Sequence, residues 1–158
     1  MLIITISRGA FSGGQALAER VASVLGYRCV SREVLVEASA RYGIPEAKFT
    51  EVVETLPHWW ERWQERLRLY RIVLQAAMCD VAQGGNLVYH GHAGQELFPG
   101  IRHVLKVHLT APMAFRIEQV RSRKGLNEAA ALQYIEHVDK TRHRRLQAIF
   151  GAVWWVPN

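Results

Sequence analysis

Cysteine and lysine are scarce in this chain, and it has no long apolar run. Two cysteines in 158 residues, Cys29 and Cys79, cannot build a disulfide framework, and neither has a Cys or His neighbour at zinc-ligand spacing. They fit a reducing compartment and are expected to be small buried hydrophobes. No stretch approaches the roughly 20 apolar residues that span a bilayer. The opening run Leu2–Ile6 is too short for a secretory signal and has no basic flank. A soluble, cytoplasmic protein is the expectation. Internal repeats, low-complexity tracts and linkers are missing too, so residues 1–158 read as one domain, able to bury roughly 70% of its unfolded surface. A composition of 49% apolar and 22% charged residues excludes disorder over most of the length.

The shortage of lysine gives the charge its character. Sixteen of the twenty Lys+Arg side chains are arginine. Residues 1–100 carry ten basic and ten acidic side chains, whereas residues 101–158 carry ten and four, so the whole net charge of +6 sits in the last third. Arginine offers a rigid fork matched to phosphate or carboxylate. A phosphate-bearing partner is therefore favoured, either a small molecule or a nucleic acid.

Leu2-Ile3-Ile4-Thr5-Ile6 is a continuous, largely β-branched run, the pattern of a strand buried on both faces of a parallel sheet. The turn Ser7–Gly14 follows, and then Ala16–Leu25 with Leu17, Val21, Val24 and Leu25 at helical spacing, stopped by Gly26. Cys29-Val30 reads as a short strand. Helical patterns fill 32–42 and about 46–56, with Pro45 between them. Residues 59–83 form a long amphipathic helix striped by Trp60, Trp63, Leu67, Tyr70, Leu74, Met78 and Val81. Leu87–Tyr89 and Val104–Leu109 are further strands. Pro112 at a first helical position and Gly125 bracket one helix, and Asn127 caps another that runs to about Phe150, with Glu128 in its first turn. Strands separated by helices predict an α/β fold with a three-layer parallel sheet flanked by helices.

A strand, a glycine-rich turn and a helix N-terminus together present free backbone N–H groups to an anion. The strict phosphate-loop pattern is G-x-x-x-x-G-K-[ST], in which Lys meets the β/γ-phosphates and the hydroxyl meets magnesium. Counted from Gly9, Gly14 is followed by Gln15 and Ala16 instead. A tight turn that binds nothing gives the same layout. ITISRGAFSGGQALAERVASVLGY resembles the opening of the cytidylate kinase-like family, whose members read ISRxFGSGGxxIAxxLAxxLG. The resemblance resumes at VYHGHAG, HVLKVHLTAPMAFRIEQV and YIEHVDKTRHRR and ends in GAVWWVPN, with residues 40–85 poorly matched.

The resemblance implies a phosphate-loop, nucleoside monophosphate kinase-like fold, with a helical insert at about 40–85 and a lid-like helix at about 125–150. It makes Ser7, Arg8, Ser12, Gly13, Gly14, Gln15 and Ala16 the phosphate-binding loop, and Arg8 the substitute for the missing lysine. Gly91 and His92 stand where these kinases carry a Gly-Arg that holds the monophosphate. Arg32 matches a family arginine, with Ser31 in place of the preceding aspartate. His90 and His92 have no third partner at metal-ligand spacing. Asp139-Lys140-Thr141-Arg142 matches the D-x-x-R of the lid. There Asp139 would orient Arg142, which with Arg144 or Arg145 would supply positive charge to a transferring phosphoryl group. Arg116, Arg121 and Arg123 read as surface residues. Family members also continue past the Trp-Pro region into another strand, so either this sequence is a fragment or the sheet is completed another way, for instance by a partner subunit.

Three functions follow. The first is phosphoryl transfer from ATP with Mg²⁺ to a nucleoside monophosphate such as CMP. The second is a nucleotide-binding module that has lost catalysis and serves as a sensor or scaffold, suggested by Gln15, Ala16, His92 and Ser31. The third is nucleic-acid binding through WWERWQERLRLYR, disfavoured because its aromatic residues share one helical face and acidic residues interrupt the arginines. That face suits a core or a homodimer interface through helix 59–83.

Overall fold

A computed structural model describes residues 2–31, 33–43, 45, 64–91 and 93–151. Strand β1 (Ile3–Arg8) is buried along almost its whole length because Ile3, Ile4, Thr5 and Ile6 must be covered on both faces. It lies between β3 (Leu87–His90) and β4 (Val104–Leu109), and β2 (Arg28–Val30) pairs with β3, giving the order β2-β3-β1-β4 with every pairing parallel. Parallel neighbours need crossovers. Helix α1 (Gly14–Leu25) leads from β1 to β2, and α2 (Glu33–Tyr42) and α3 (Gln64–Gln83) stand between β2 and β3. After β4 come α4 (Met113–Lys124) and α5 (Glu128–Phe150).

Two clusters cover the two faces of the sheet. On one side Ile4, Ile6 and Val88 meet Ala18 and Ala22 of α1. On the other, Ile3, Leu87 and Tyr89 meet α2, α3, Phe98 and Ile149 at the end of α5. A third cluster joins Val120 of α4 to Ala131 and Ile135 of α5, with Phe11 and Tyr134 against it. The predicted three-layer parallel architecture is the observed one. Among the described residues the sheet has four strands, with β4 outermost and Leu105 exposed on it.

Several sequence expectations change. Helix α1 turns Gly14, Ala18 and Ala22 inward, while Leu17, Val24 and Leu25 are exposed. Small side chains let this helix lie close to the sheet, so the larger apolar residues are left outside. Cys79 is exposed, not buried, and Cys29 is only partly covered. Pro112 is the N-cap of α4, one residue before its first turn. On α3 the stripe from Leu67 through Tyr70, Leu74 and Met78 fills the molecule's own core. That removes Tyr70 as a base-stacking platform and uses up the face on which a homodimer through this helix was expected. Trp60, Trp63, the predicted helix at about 46–56, Arg32 and His92 lie outside the described residues. Gly26, Gly125 and Asn127 end and cap their helices as expected, Asn127 accepting from the Ala130 N–H at 2.9 Å.

Candidate phosphate-binding site

The connection from β1 runs to one side of the sheet and that from β3 to the other, so the strand order reverses between these two neighbours. In open parallel sheets the crevice at the carboxyl ends of such a pair is where ligands bind. Here Arg8 ends β1 and His90 ends β3, and Arg8 Nη1 donates to His90 Nδ1 at 3.2 Å. A guanidinium only donates, so Nδ1 must be the acceptor and the neutral ring carries its proton on Nε2. Burial and the neighbouring Arg8 charge hold the His90 pKa below its usual range, despite opposing pulls from Glu19 and Glu33.

Of the glycines that follow Arg8, Gly13 and Gly14 serve different ends. Gly13 has φ 82, a left-handed conformation that suits glycine, and serves as an N-cap with no side-chain bond to α1. At Gly14 a Cβ would come 2.1 Å from Arg8 Cδ, so the absence of a side chain lets Arg8 run across the start of the helix. The first turn of α1 has no acidic residue, and the N–H groups of Gly14, Gln15 and Ala16 have no acceptor within the helix. Gln15 turns outward to Glu19 at 2.9 Å, and Ala16 is exposed.

The two loop serines serve the scaffold. Ser7 Oγ lies 2.9 Å from His108 Nδ1 and 3.3 Å from the Val107 carbonyl oxygen on β4. Ser12 Oγ donates to the Gly9 carbonyl at 2.9 Å. Gly91 is fixed by packing: a Cβ there would meet the Tyr89 hydroxyl at 2.4 Å.

Helix α5 brings the remaining charges. Arg142 is half-buried, and its pKa is drawn down to about 10, first by burial, then by Arg8, with Arg145 and Arg116 adding to the effect and Asp139 opposing it. Arg8, Arg145 and Arg116 thus all bear on the charge of Arg142, and Arg8 itself lies across the uncapped N-terminus of α1. That is an arrangement suited to a polyanion. The D-x-x-R pattern pairs Asp139 with Arg142, whose charged form Asp139 favours. Asp139 also forms an ion pair with Arg116 and accepts the Ala10 N–H at 3.0 Å. Arg116, expected at the surface, is 4% exposed, and its Nε donates to the Ala10 carbonyl at 2.7 Å. The one clue was its spacing of four from Val120 on the inward side of α4. Phe11, at φ 59, packs edge-on against Tyr134 of α5 with ring centroids 5.9 Å apart.

The model of the cytidylate kinase-like family matches residues 3–158. The chain belongs to that family. Its cytidylate kinase-like character extends to curated relatives: it is 28% identical to a cytidylate kinase from Ignicoccus hospitalis, over 96% of this chain and 81% of the relative. It is 25% identical to one from Methanopyrus kandleri, over 95% and 77% respectively. A crystal structure of an uncharacterized protein from Eubacterium ventriosum superposes with a TM-score of 0.71 at 18% identity, covering 99% of this chain and 82% of that one. Shikimate kinase from Bacteroides thetaiotaomicron gives 0.52 at 13%, covering 99% and 85%. The cytidylate kinase-like chain therefore has the phosphate-loop kinase fold. Among the described residues no helix is long and apolar enough to cross a membrane, and no group of three His, Cys, Asp or Glu could hold a metal.

Proposed function

We propose that this chain is a nucleoside monophosphate kinase of the cytidylate type, moving the γ-phosphoryl group of ATP to CMP or a close analogue. The observation that carries this reading is Arg8, laid across the uncapped start of α1 in the crevice between β1 and β3 and bearing on Arg142. The N–H groups of the loop and of the first turn of α1 would hold the ATP phosphates. Arg8, lying across Gly14, takes the place of the loop lysine as the fixed cation. Arg142, with Arg145 one residue-triplet further along the same helix, would face the charge that spreads over the transferring phosphoryl group. Such transfer needs positioned positive charge more than a covalent catalyst. Gly91, His92 and Arg32 stand where the family resemblance sets the acceptor phosphate.

The donor set fits a polyphosphate better than a protein-held Mg²⁺. Ser12's hydroxyl is committed to Gly9, and Gln15 and Ala16 bring no hydroxyl to the first turn. Mg²⁺ is commonly held by substrate phosphates and water, and no step here is routed through it. The same positions favour a second reading, a nucleotide-binding module without turnover.

ADP formation from Mg·ATP, with CMP, dCMP, UMP, AMP and GMP tested singly, separates the two. Stimulation by CMP or dCMP is the expected result. ATP binding with no turnover on any of the five would replace the kinase with the binding module.

A further inference from the structure

Asp139 and Arg116 grip the two peptide groups that flank Ala10, one on each side of its Cα. The Ala10 N–H donates to Asp139 Oδ1 at 3.0 Å, and the Ala10 carbonyl accepts from Arg116 Nε at 2.7 Å. The grip closes on itself through the ion pair between Arg116 Nη2 and Asp139 Oδ2. Ala10 lies inside the loop, three residues before the Gly13 cap. The next residue, Phe11, holds a left-handed backbone that non-glycine residues disfavour. Its ring is held by Tyr134, five residues before Asp139 on the same helix.

We infer that Arg116 and Asp139 are positioning residues, clamping the backbone on both sides of Ala10 so that the phosphate loop and the arginines of α5 keep the spacing a polyphosphate requires. The inference rests on the kinase reading for its ligand. Arg116 is 4% exposed with Nε and Nη2 both engaged inside the protein, so it serves the loop and not the phosphate. Arg142 lies three residues beyond Asp139, so fixing Asp139 to the loop also fixes where Arg142 stands relative to it. Packing of α4 on α5 does not need the clamp, since Val120, Ala131 and Ile135 already join the two helices. A buried charge left without its partner is strongly disfavoured, so either deletion should disturb the loop.

The test uses the full chain in five forms: wild type, R116M, R116K, D139N and V120A. ATP and inorganic tripolyphosphate are titrated calorimetrically, the thermal midpoint is recorded, and amide exchange is followed at residues 9–14. R116M and D139N are expected to bind ATP at least tenfold more weakly and to exchange faster across the loop. R116K should fall between them and wild type, since an ammonium keeps the charge without the fork. V120A weakens the helix packing and should lower the midpoint while leaving affinity within twofold and loop exchange unchanged. Wild-type affinity and exchange in folded D139N and R116K would overturn the clamp, as would a V120A variant that loses affinity in step with its midpoint. If R116M fails to fold, D139N and R116K still decide. A wild type that binds neither ATP nor tripolyphosphate would end the nucleotide reading alone, because loop exchange judges the clamp without a ligand.

Discussion

Histidines 90 and 108 are both held neutral by their surroundings, and this gives the protein a pH dependence of definite sign. Burial is the main cause at each; Arg8 adds to it at His90, and Asp139 opposes it at His108. A base whose folded pKa lies below its unfolded value takes up protons more readily when unfolded. Its stabilising contribution is therefore present above the ordinary histidine value near 6.5 and is lost as pH falls. Urea midpoints should drop between about pH 6.5 and pH 5, and H90Q should flatten part of that drop. A flat wild-type profile over this window would contradict the assignment. Arg142 behaves in the same sense at the other end: its penalty is present at neutral pH and is relieved only as the pH rises above about 10. At this scale the sequence showed Arg8, Asp139 and Arg142 through their motif spacing. It did not single out Arg116, whose one sign among several arginines on α4 was the spacing of four from Val120.

Among the elements, the sheet was the most legible. The β-branched run of β1 and the strands at 87–90 and 104–109 follow from composition, and Asn127, Gly125 and Gly26 mark helix ends by their backbone chemistry. The inward face of α1 was misread, since periodicity rewards large apolar residues and the contact uses alanines. Ala18 is fully buried and Ala22 nearly so against Ile4, Ile6 and Val88. A22L should overpack this interface and destabilise the protein by about 1–3 kcal/mol, whereas a polar substitution at exposed Val24 should change stability by less than about 0.5 kcal/mol. Chemical denaturation of the two variants checks the order, and an A22L protein as stable as wild type would mean the helix does not lie close.

For the whole molecule, the strand order and the charge distribution meet at one place. The order reverses between β1 and β3, and Arg8 at that crevice bears on Arg142 of the basic last third. Neither fact is visible in a linear motif. The sequence names a glycine loop and a basic helix, but only the fold brings Arg8 of β1 and Arg142 of α5 into mutual influence. Two like charges brought together and partly desolvated weaken the empty protein, and a bound polyanion reverses that cost. This is the expected pattern where stability is traded for function.

The most direct measurement is therefore made on R142M, recording its thermal midpoint beside ADP formation from Mg·ATP and CMP. The expected result is a midpoint at or above that of wild type, with turnover reduced by roughly 10²–10³-fold. Wild-type turnover in R142M, or a midpoint that falls along with the activity, would contradict a phosphate-facing role for this arginine.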